Sequence, residues 1–374
     1  MNYAAGYKAT FYGTLIDPAS WAETAEVDLV SGSVNNISDG LRQSATLQVR
    51  DFDRSHERWL RIYMDARQGD DIDHNPVFTG IVSAPKEDDE GTIKTNDLTC
   101  YSVLEPVNIP MTVGEYIARG VNAEQAIRRL LETTPAPVDI APGAPAIKDY
   151  IIAEDNETRL TMLQKVLDVV NWQVVIHGDG TIQARPKPTE PAALFSADGL
   201  DILEQKITKT RDWFKAPNVL TATSGDAVAV ARDEDPDSPL SIPSRGREVP
   251  VYERDVKLSE NEGLAEYAQR KLKEEQQVAE AVEYDRRYIP NLFVGDIVQA
   301  NYDILQGVYE VKSQTINLTY NCQTHEQVER TDTAIEEDFA GITPKQKWNA
   351  LVMPDDKYLL MPGNLKLLVP ARRF

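Results

Sequence analysis

Cysteine is nearly absent from this chain. Only Cys100 and Cys322 are present, far apart and each within a strand-like run. Two buried, reduced thiols are the expected state, with a disulfide as the alternative. Positive charge is also scarce: 39 Lys and Arg face 60 Asp and Glu, a net charge of −21. Nothing resembles a basic footprint for gripping phosphate, which argues against sequence-specific DNA binding. The plain reading of the acid is solubility. No apolar run approaches the roughly 20 residues that span a bilayer. Met1 to Gly13 holds no basic segment followed by an apolar core, so neither a signal peptide nor membrane insertion is expected. On that reading the protein is made in a cytoplasm and stays soluble, and the Asn-x-Ser/Thr tripeptides at Asn36, Asn156 and Asn317 carry no sugar.

Catalytic signatures are missing too. There is no phosphate loop, dinucleotide fingerprint or nucleophile elbow. The four histidines, His56, His74, His177 and His325, share no metal-ligand spacing. Asp70-Asp71-Ile72-Asp73-His74-Asn75 places oxygen ligands at alternate positions but lacks the glycine and closing glutamate of a calcium loop, so a solvated loop is expected. Glu274-Glu275 and Glu336-Glu337-Asp338 read as solvated charge runs. A glycosidase needs two carboxylates in a cleft, and 60 acidic residues make any pairing arbitrary. No catalytic residue, cofactor or metal site is assigned, and no enzyme is expected.

What is present is strand pattern. A length of 374 residues suggests two or three domains, and 41% hydrophobic residues suffice for proper cores. Residues 1–110 hold many short alternating runs, such as Lys8–Ile16, Ala45–Val49, Trp59–Met64 and Val77–Ser83, with turn signals at Asn35-Asn36 and Asp39-Gly40. Glu87 to Gly91 reads as an acidic turn. This is the pattern of a barrel or sandwich. Residues 111–195 change character. Asn122 with Gln125 caps a helix through Ala126, Ile127, Leu130 and Leu131, and Asp155 or Asn156 caps a second with Leu160, Leu163, Leu167 and Val170 on one face. A hairpin turning at His177–Gly180 completes a small α+β unit, and Pro186–Pro191 is a linker. Residues 196–330 form a second β domain. It contains an acidic, proline-bearing stretch at 232–246, read as a long exposed loop, and a helix over 259–277. For that helix, Ser259 and Glu262 have capping spacing and Leu264, Ala268 and Leu272 share a face. Val278 to Tyr288 then alternates as a strand, with Arg286 on the apolar parity. The segment Gly307–Leu318 supplies a third strand, or a third and a fourth.

The order helix, strand, "NLFVGDIVQANY", "GVYEVKSQTINLTYN" resembles the second barrel of baseplate hub proteins of tailed phages, the Mu-like and late-control-like hubs. "APNVLTATSGD" and "SRGREVPVYERDVKLSENEGLAEYAQRKLKEEQQ" agree with that family in order and spacing. The likeness is close over 207–330 and looser before it. It implies a β-rich α+β fold: two tail-tube-like β-barrel domains, a small α+β insert padding the ring, and an extended C-terminal arm. It also implies a homotrimeric ring that adapts the hexameric tail-tube protein to a trimeric spike protein, among other baseplate proteins. DNA would pass only in transit through an acidic lumen. The alternatives are a tail-tip peptidoglycan hydrolase, which no motif supports, and a carbohydrate-binding adhesin. The five tryptophans (Trp21, Trp59, Trp172, Trp213 and Trp348) are too spread to favour the latter.

Residues 331–374 form the most unusual stretch. Apolar triplets followed by proline recur every eight residues: Leu351-Val352-Met353, Leu359-Leu360-Met361 and Leu367-Leu368-Val369. The prolines bar a regular helix and lack ladder donors. Three such pieces cannot bury themselves alone. Either the arm packs back on its own subunit, or Leu351, Met353, Leu359, Leu360, Met361, Leu367, Leu368 and Val369 dock on a neighbour or another protein. The second reading is favoured, because so much apolar surface left free invites aggregation.

Overall fold

In the computed structural model the described residues are 1–331, apart from 2, 4, 5, 39–41, 54, 84, 85, 90–93, 197–206, 212, 213, 215, 260, 278, 279, 303 and 304, together with four short strands between 348 and 370. The first β region contains β1 (Lys8–Ile16), β2 (Glu23–Val27), β3 (Leu29–Ile37), β4 (Arg42–Arg50), β5 (Arg58–Gln68), β6 (Asp71–Val82), β7 (Lys86–Asp89) and β8 (Lys94–Ser102). Side chains alternate across a strand, so Leu60, Ile62, Met64 and Ala66 of β5 all face inward and are buried. They meet Val34, Leu47, Val49, Phe78, Leu98 and Cys100 in one core. Each fully buried Leu, Ile or Met there contributes roughly 1.5–3 kcal/mol. Of the run 87–91 expected as an acidic turn, Glu87 to Asp89 lie in β7, hydrogen-bonded along β8 from Lys86↔Asp97 to Asp89↔Lys94, while 90 and 91 lie outside the described residues.

The insert contains β9 (Tyr116–Ile117), α1 (Ala123–Leu130), β10 (Val138–Ile140), β11 (Ile151–Ile152), α2 (Arg159–Val170), β12 (Trp172–Ile176) and β13 (Ile182–Pro186). Asn122 caps α1 by accepting from the Glu124 N–H at 2.8 Å. The cap of α2 is Thr158, which accepts from the Thr161 N–H, in place of the expected Asp155 or Asn156. Asn156 is in the left-handed region at φ 63° and turns the chain into the cap. Ala126, Ile127 and Leu130 of α1 pack with Met162, Leu163, Val166 and Leu167 of α2. Trp59, Val103 and Leu104 from the first β region belong to the same cluster.

The rest contains β14 (Ala193–Ser196), β15 (Thr208–Arg211), β16 (Val219–Ser224), β17 (Ala227–Arg232), α3 (Ile242–Arg245), β18 (Pro250–Glu253), α4 (Leu264–Gln277), β19 (Glu280–Arg287), β20 (Ile297–Tyr302), β21 (Leu305–Asn317) and β22 (Gln323–Arg330). Helix α4 starts later than the Ser259 spacing suggests. Glu266 accepts from the Gly263 N–H at 2.8 Å, while Glu262 holds Arg270 through both oxygens at 2.7 and 3.0 Å. The stretch over 232–246 is not a free loop. Leu240 and Ser241 are buried, Ser238 donates to Asp233 at 2.7 Å, and Asn218 donates to the Leu240 carbonyl at 3.1 Å.

The two β regions are halves of one sheet. Its strands run β2-β1-β5-β6-β8-β4-β3-β21-β22-β19-β15, with β20 on β21, β14 on β20 and β7 on β8, fourteen in all. The link is β21 against β3, from Ser313↔Ile37 to Asn317↔Ser33. Among the described residues no pairing closes either half into a barrel, and one ladder runs through both. A three-stranded sheet β17-β16-β18 stands apart and packs one face on α4 through Leu220, Ala222, Ala231, Ala268 and Leu272. Beyond Thr331 the strands are β23 (Trp348–Ala350), β24 (Leu360–Met361), β25 (Leu365–Lys366) and β26 (Leu368–Pro370). Among the described residues β23 pairs with β26 and β24 with β25, and neither joins the rest of the chain.

Candidate functional site

The acidic run invited for a cation is taken up by the fold. Asp71 to Asn75 open β6, where Asp73 accepts from the Tyr3 hydroxyl at 2.6 Å and His74 Nδ1 lies 2.7 Å from Asp65. His325 is paired with Asp285 at 2.8 Å, and His177 stands edge-on to Phe293. Among the described residues no group of three or more His, Cys, Asp or Glu side chains gathers where a metal could sit. Glu274 is not a plain solvated charge. Burial pushes its carboxyl up, but Lys187, Arg270 and Lys271 outweigh that and hold it below the ordinary glutamate value. Glu336 to Asp338 lie outside the described residues.

The densest polar cluster lies inside the second β region and was not picked out from the sequence. Arg286 and Glu326 are fully buried on neighbouring strands. The guanidinium donates twice to the carboxylate, Nη2 to Oε1 at 2.6 Å and Nε to Oε2 at 2.9 Å. Tyr284 donates to Oε2 at 2.6 Å and Gln314 to Oε1 at 2.8 Å. The remaining Arg286 nitrogen reaches the Arg287 carbonyl at 2.7 Å. Burial pushes the Glu326 carboxyl up, but the Arg286 charge and these donors prevail and hold it below the ordinary value. A carboxylate so fully committed has no lone pair free for a substrate. The cluster is a buried network whose members satisfy one another across β19, β21 and β22.

A cleft of about 410 Å³ opens where the insert meets the large sheet, between Trp172 and Gln173 of β12, Asn36 and Gln43 at the end of β3 and start of β4, and Phe293 and Lys312. Asn36 Oδ1, Gln43 Oε1 and Gln173 Nε2 are buried there without a protein hydrogen-bond partner. Asp168 lines the same cleft; burial pushes its carboxyl up, countered in part by Lys187 and Lys271. The groups suit water-mediated packing.

The hairpin tip at 177–180 locks the insert onto the first β region. Arg61 donates to the Asp179 carbonyl at 2.7 Å and to Thr79 at 3.0 Å, while Thr79 donates to the Gly178 carbonyl at 2.7 Å. Trp21 Nε1 donates to the Asp179 carbonyl at 3.1 Å. A Cβ on Gly178 would overlap the Pro76 carbonyl, so only glycine fits.

Among the described residues two elements carry neighbouring exposed apolar side chains. On the insert, Tyr116 and Ile152 sit opposite each other on β9 and β11, with Tyr150 packed edge-on to Tyr116; all three are more than half exposed. On the small sheet, Val228 and Val230 of β17 and Tyr252 of β18 lie on the face away from α4, at 64%, 54% and 66% exposure. Among the described residues of the first β region the exposed large hydrophobics, such as Val30, Ile72 and Tyr101, are scattered. Of the sequence-predicted arm residues, Leu360 and Met361 form β24 and Leu368 and Val369 lie in β26. Leu351, Met353, Leu359 and Leu367 lie outside the described residues.

The fold is similar to that of three solved tail proteins. The tail protein from Neisseria meningitidis MC58 superposes with a TM-score of 0.61 at 14% identity, covering 87% of this chain and 97% of that one. The 43 kDa tail protein of prophage MuSo2 from Shewanella oneidensis gives 0.61 at 12% identity, covering 86% and 96%. The prophage tail protein gp18 from Listeria monocytogenes EGD-e gives 0.56 at 14% identity, covering 88% and 97%. At such identities the shared property is the fold. No family model and no curated protein matches the chain by sequence.

Proposed function

We propose that the chain is a structural baseplate hub subunit of a phage tail. Three copies close a ring that adapts the hexameric tail tube to a trimeric spike and encloses the DNA channel. The observation that carries this reading is the tail-protein fold, shared over most of this chain and nearly all of three tail proteins. In this reading residues 1–110 and 196–330 are the two tube-like halves that face the tube, 111–195 is the outer insert, and 331–374 is a docking arm. The role is structural and not catalytic, and the site of action is the virion tail. A closed ring needs heterologous contacts, so each copy must present two different patches. The two patches are expected on the β regions at 1–110 and 205–330, and the exposed β17–β18 face lies in the second of them. A net charge of −21 suits a channel wall that repels DNA and lets it slide.

The test is the mass of the purified full chain by light scattering across concentration. A threefold multiple of 41.8 kDa supports the ring; a dimer overturns it. Removing Lys345–Phe374 is expected to weaken assembly. A truncated chain that assembles and binds spike normally would remove the arm from the account.

A further inference from the structure

The three-stranded sheet β17-β16-β18 has one face covered and one bare. Leu220, Ala222 and Ala231 pack on α4, while the opposite face is a row formed by Val230, Thr221 and Tyr252, with Val228 beside it. Among the described residues β17 pairs with β16 alone, so its outer edge carries no strand. An apolar face next to an open strand edge is what an extended segment uses when it adds to a sheet: the edge supplies main-chain bonds and the face supplies pockets for alternate side chains.

The C-terminal arm has the complementary properties. Leu351, Met353, Leu359, Met361, Leu367 and Val369 are all two or a multiple of two apart. In an extended chain such residues share one face, and a period of eight keeps them on it. Its described strands pair only with each other, and a ribbon of two or three residues per strand is not stable alone in water. Charge agrees as well. Residues 345–374 carry six basic residues (Lys345, Lys347, Lys357, Lys366, Arg372 and Arg373) against Asp355 and Asp356, a net of +4 in a chain whose total is −21. Residues 219–256, which build the small sheet, carry eight acidic and four basic side chains, a net of −4.

We infer that the bare face and open edge of β17 receive the C-terminal arm of a second copy of this chain. The inference deepens the assembly reading and rests on it, since a ring sets copies side by side. An arm-to-face contact is also heterologous, the kind that closes rings.

The experiment mixes two full-length single variants, Val230→Cys and Met361→Cys, of which one carries a mass tag, under mild oxidation. The native Cys100 and Cys322 are buried and do not compete. The expected result is a mixed disulfide containing both chains, absent when either variant is incubated with wild type. Adding Val228→Lys to the first variant sets a charge where an apolar anchor packs and lowers the yield about tenfold. Raising salt lowers it further, because the charges attract across a partly solvated contact. The inference is overturned if no mixed disulfide forms while the double variant bridges within one chain, for then the arm covers its own subunit. It is also overturned if the yield ignores Val228→Lys. Light scattering on the same mixture separates the two readings: threefold mass without a mixed disulfide leaves the ring standing and removes this docking site, while monomer mass without one removes both.

Discussion

Arg286 and Glu326 sit where ordinary burial would exclude charge, and four hydrogen-bond donors converge on one carboxylate. Removing one partner of such a pair leaves the other buried and uncompensated. Glu326→Gln is therefore expected to cost about 3–5 kcal/mol, read as a shift of the urea midpoint. The pair also sets an acid limit. The Glu326 carboxyl is held below its ordinary value in the folded chain. Its contribution is complete above the unfolded value of about 4.3 and is lost as pH falls below that through the folded value. Unfolding midpoints of wild type and Glu326→Gln should therefore converge below about pH 4. The sequence carried a visible signal for half of this pair, since Arg286 shares a parity with Val282 and Tyr284. It gave no means to choose the partner, because Glu326 is forty residues on and pairing is set by the ladder. The thiols were easier to read. Burial pushes Cys100 and Cys322 up to about 12. Neither should react with Ellman's reagent at pH 8 until the chain is unfolded, when both should.

At the scale of elements, the alternation of β5 and the helical faces of α1 and α2 were legible, because burial follows period directly. Caps were less so. Several Ser, Thr, Asn and Asp residues near a helix start compete, and backbone geometry chooses among them. Asn156 went into a left-handed turn and Thr158 became the cap. Glu87 to Asp89, expected in a turn, lie in β7, which among the described residues pairs with β8 alone, a place where charge is useful because it discourages pairing with other chains. The hairpin at 177–180 is legible from its glycines and flanking alternation, but its docking on Arg61, Thr79 and Trp21 depends on contacts 99 to 158 residues away. Gly178→Ala tests that docking. The added methyl must displace the Pro76 carbonyl or the tip, at a cost of about 1–3 kcal/mol. The expected outcome is a lower melting temperature and faster hydrogen exchange in both 76–80 and 177–184. Loss confined to the hairpin would mean that the tip is not a shared support.

At the scale of the whole molecule, the sequence suggested two β domains because its strand-rich segments are separated by a helical insert. The structure joins them through one long strand. The early part of β21 pairs with β20 over 305–310, and its later part pairs with β3 over 313–317. Register on β22 shifts between Val311 and Ser313, which leaves Lys312 as an extra residue at the changeover. Such a bulge bends a strand and lets one strand serve two neighbours. Its Lys312 carbonyl accepts from the Ser38 N–H at 2.9 Å, and its ammonium reaches Glu310 at 2.9 Å. No local pattern announces a pairing between residues 280 apart, such as Thr315 with Asn35. The join is more than a ladder. Tyr288, Ile316, Leu318 and Cys322, all from the second region, are buried in the core of the first. Shared core residues couple the stability of the halves, since neither can open without exposing apolar surface of the other. Hydrogen exchange in rising urea should then give one common midpoint for peptides from β4 and from β22. Replacing Ile316 by Ala is expected to lower both midpoints together, by about 2–5 kcal/mol in the underlying stability. Two separate midpoints, with only the β22 peptides responding to the substitution, would mean that the halves fold as independent domains and that the β21–β3 join does not bind them into one cooperative unit.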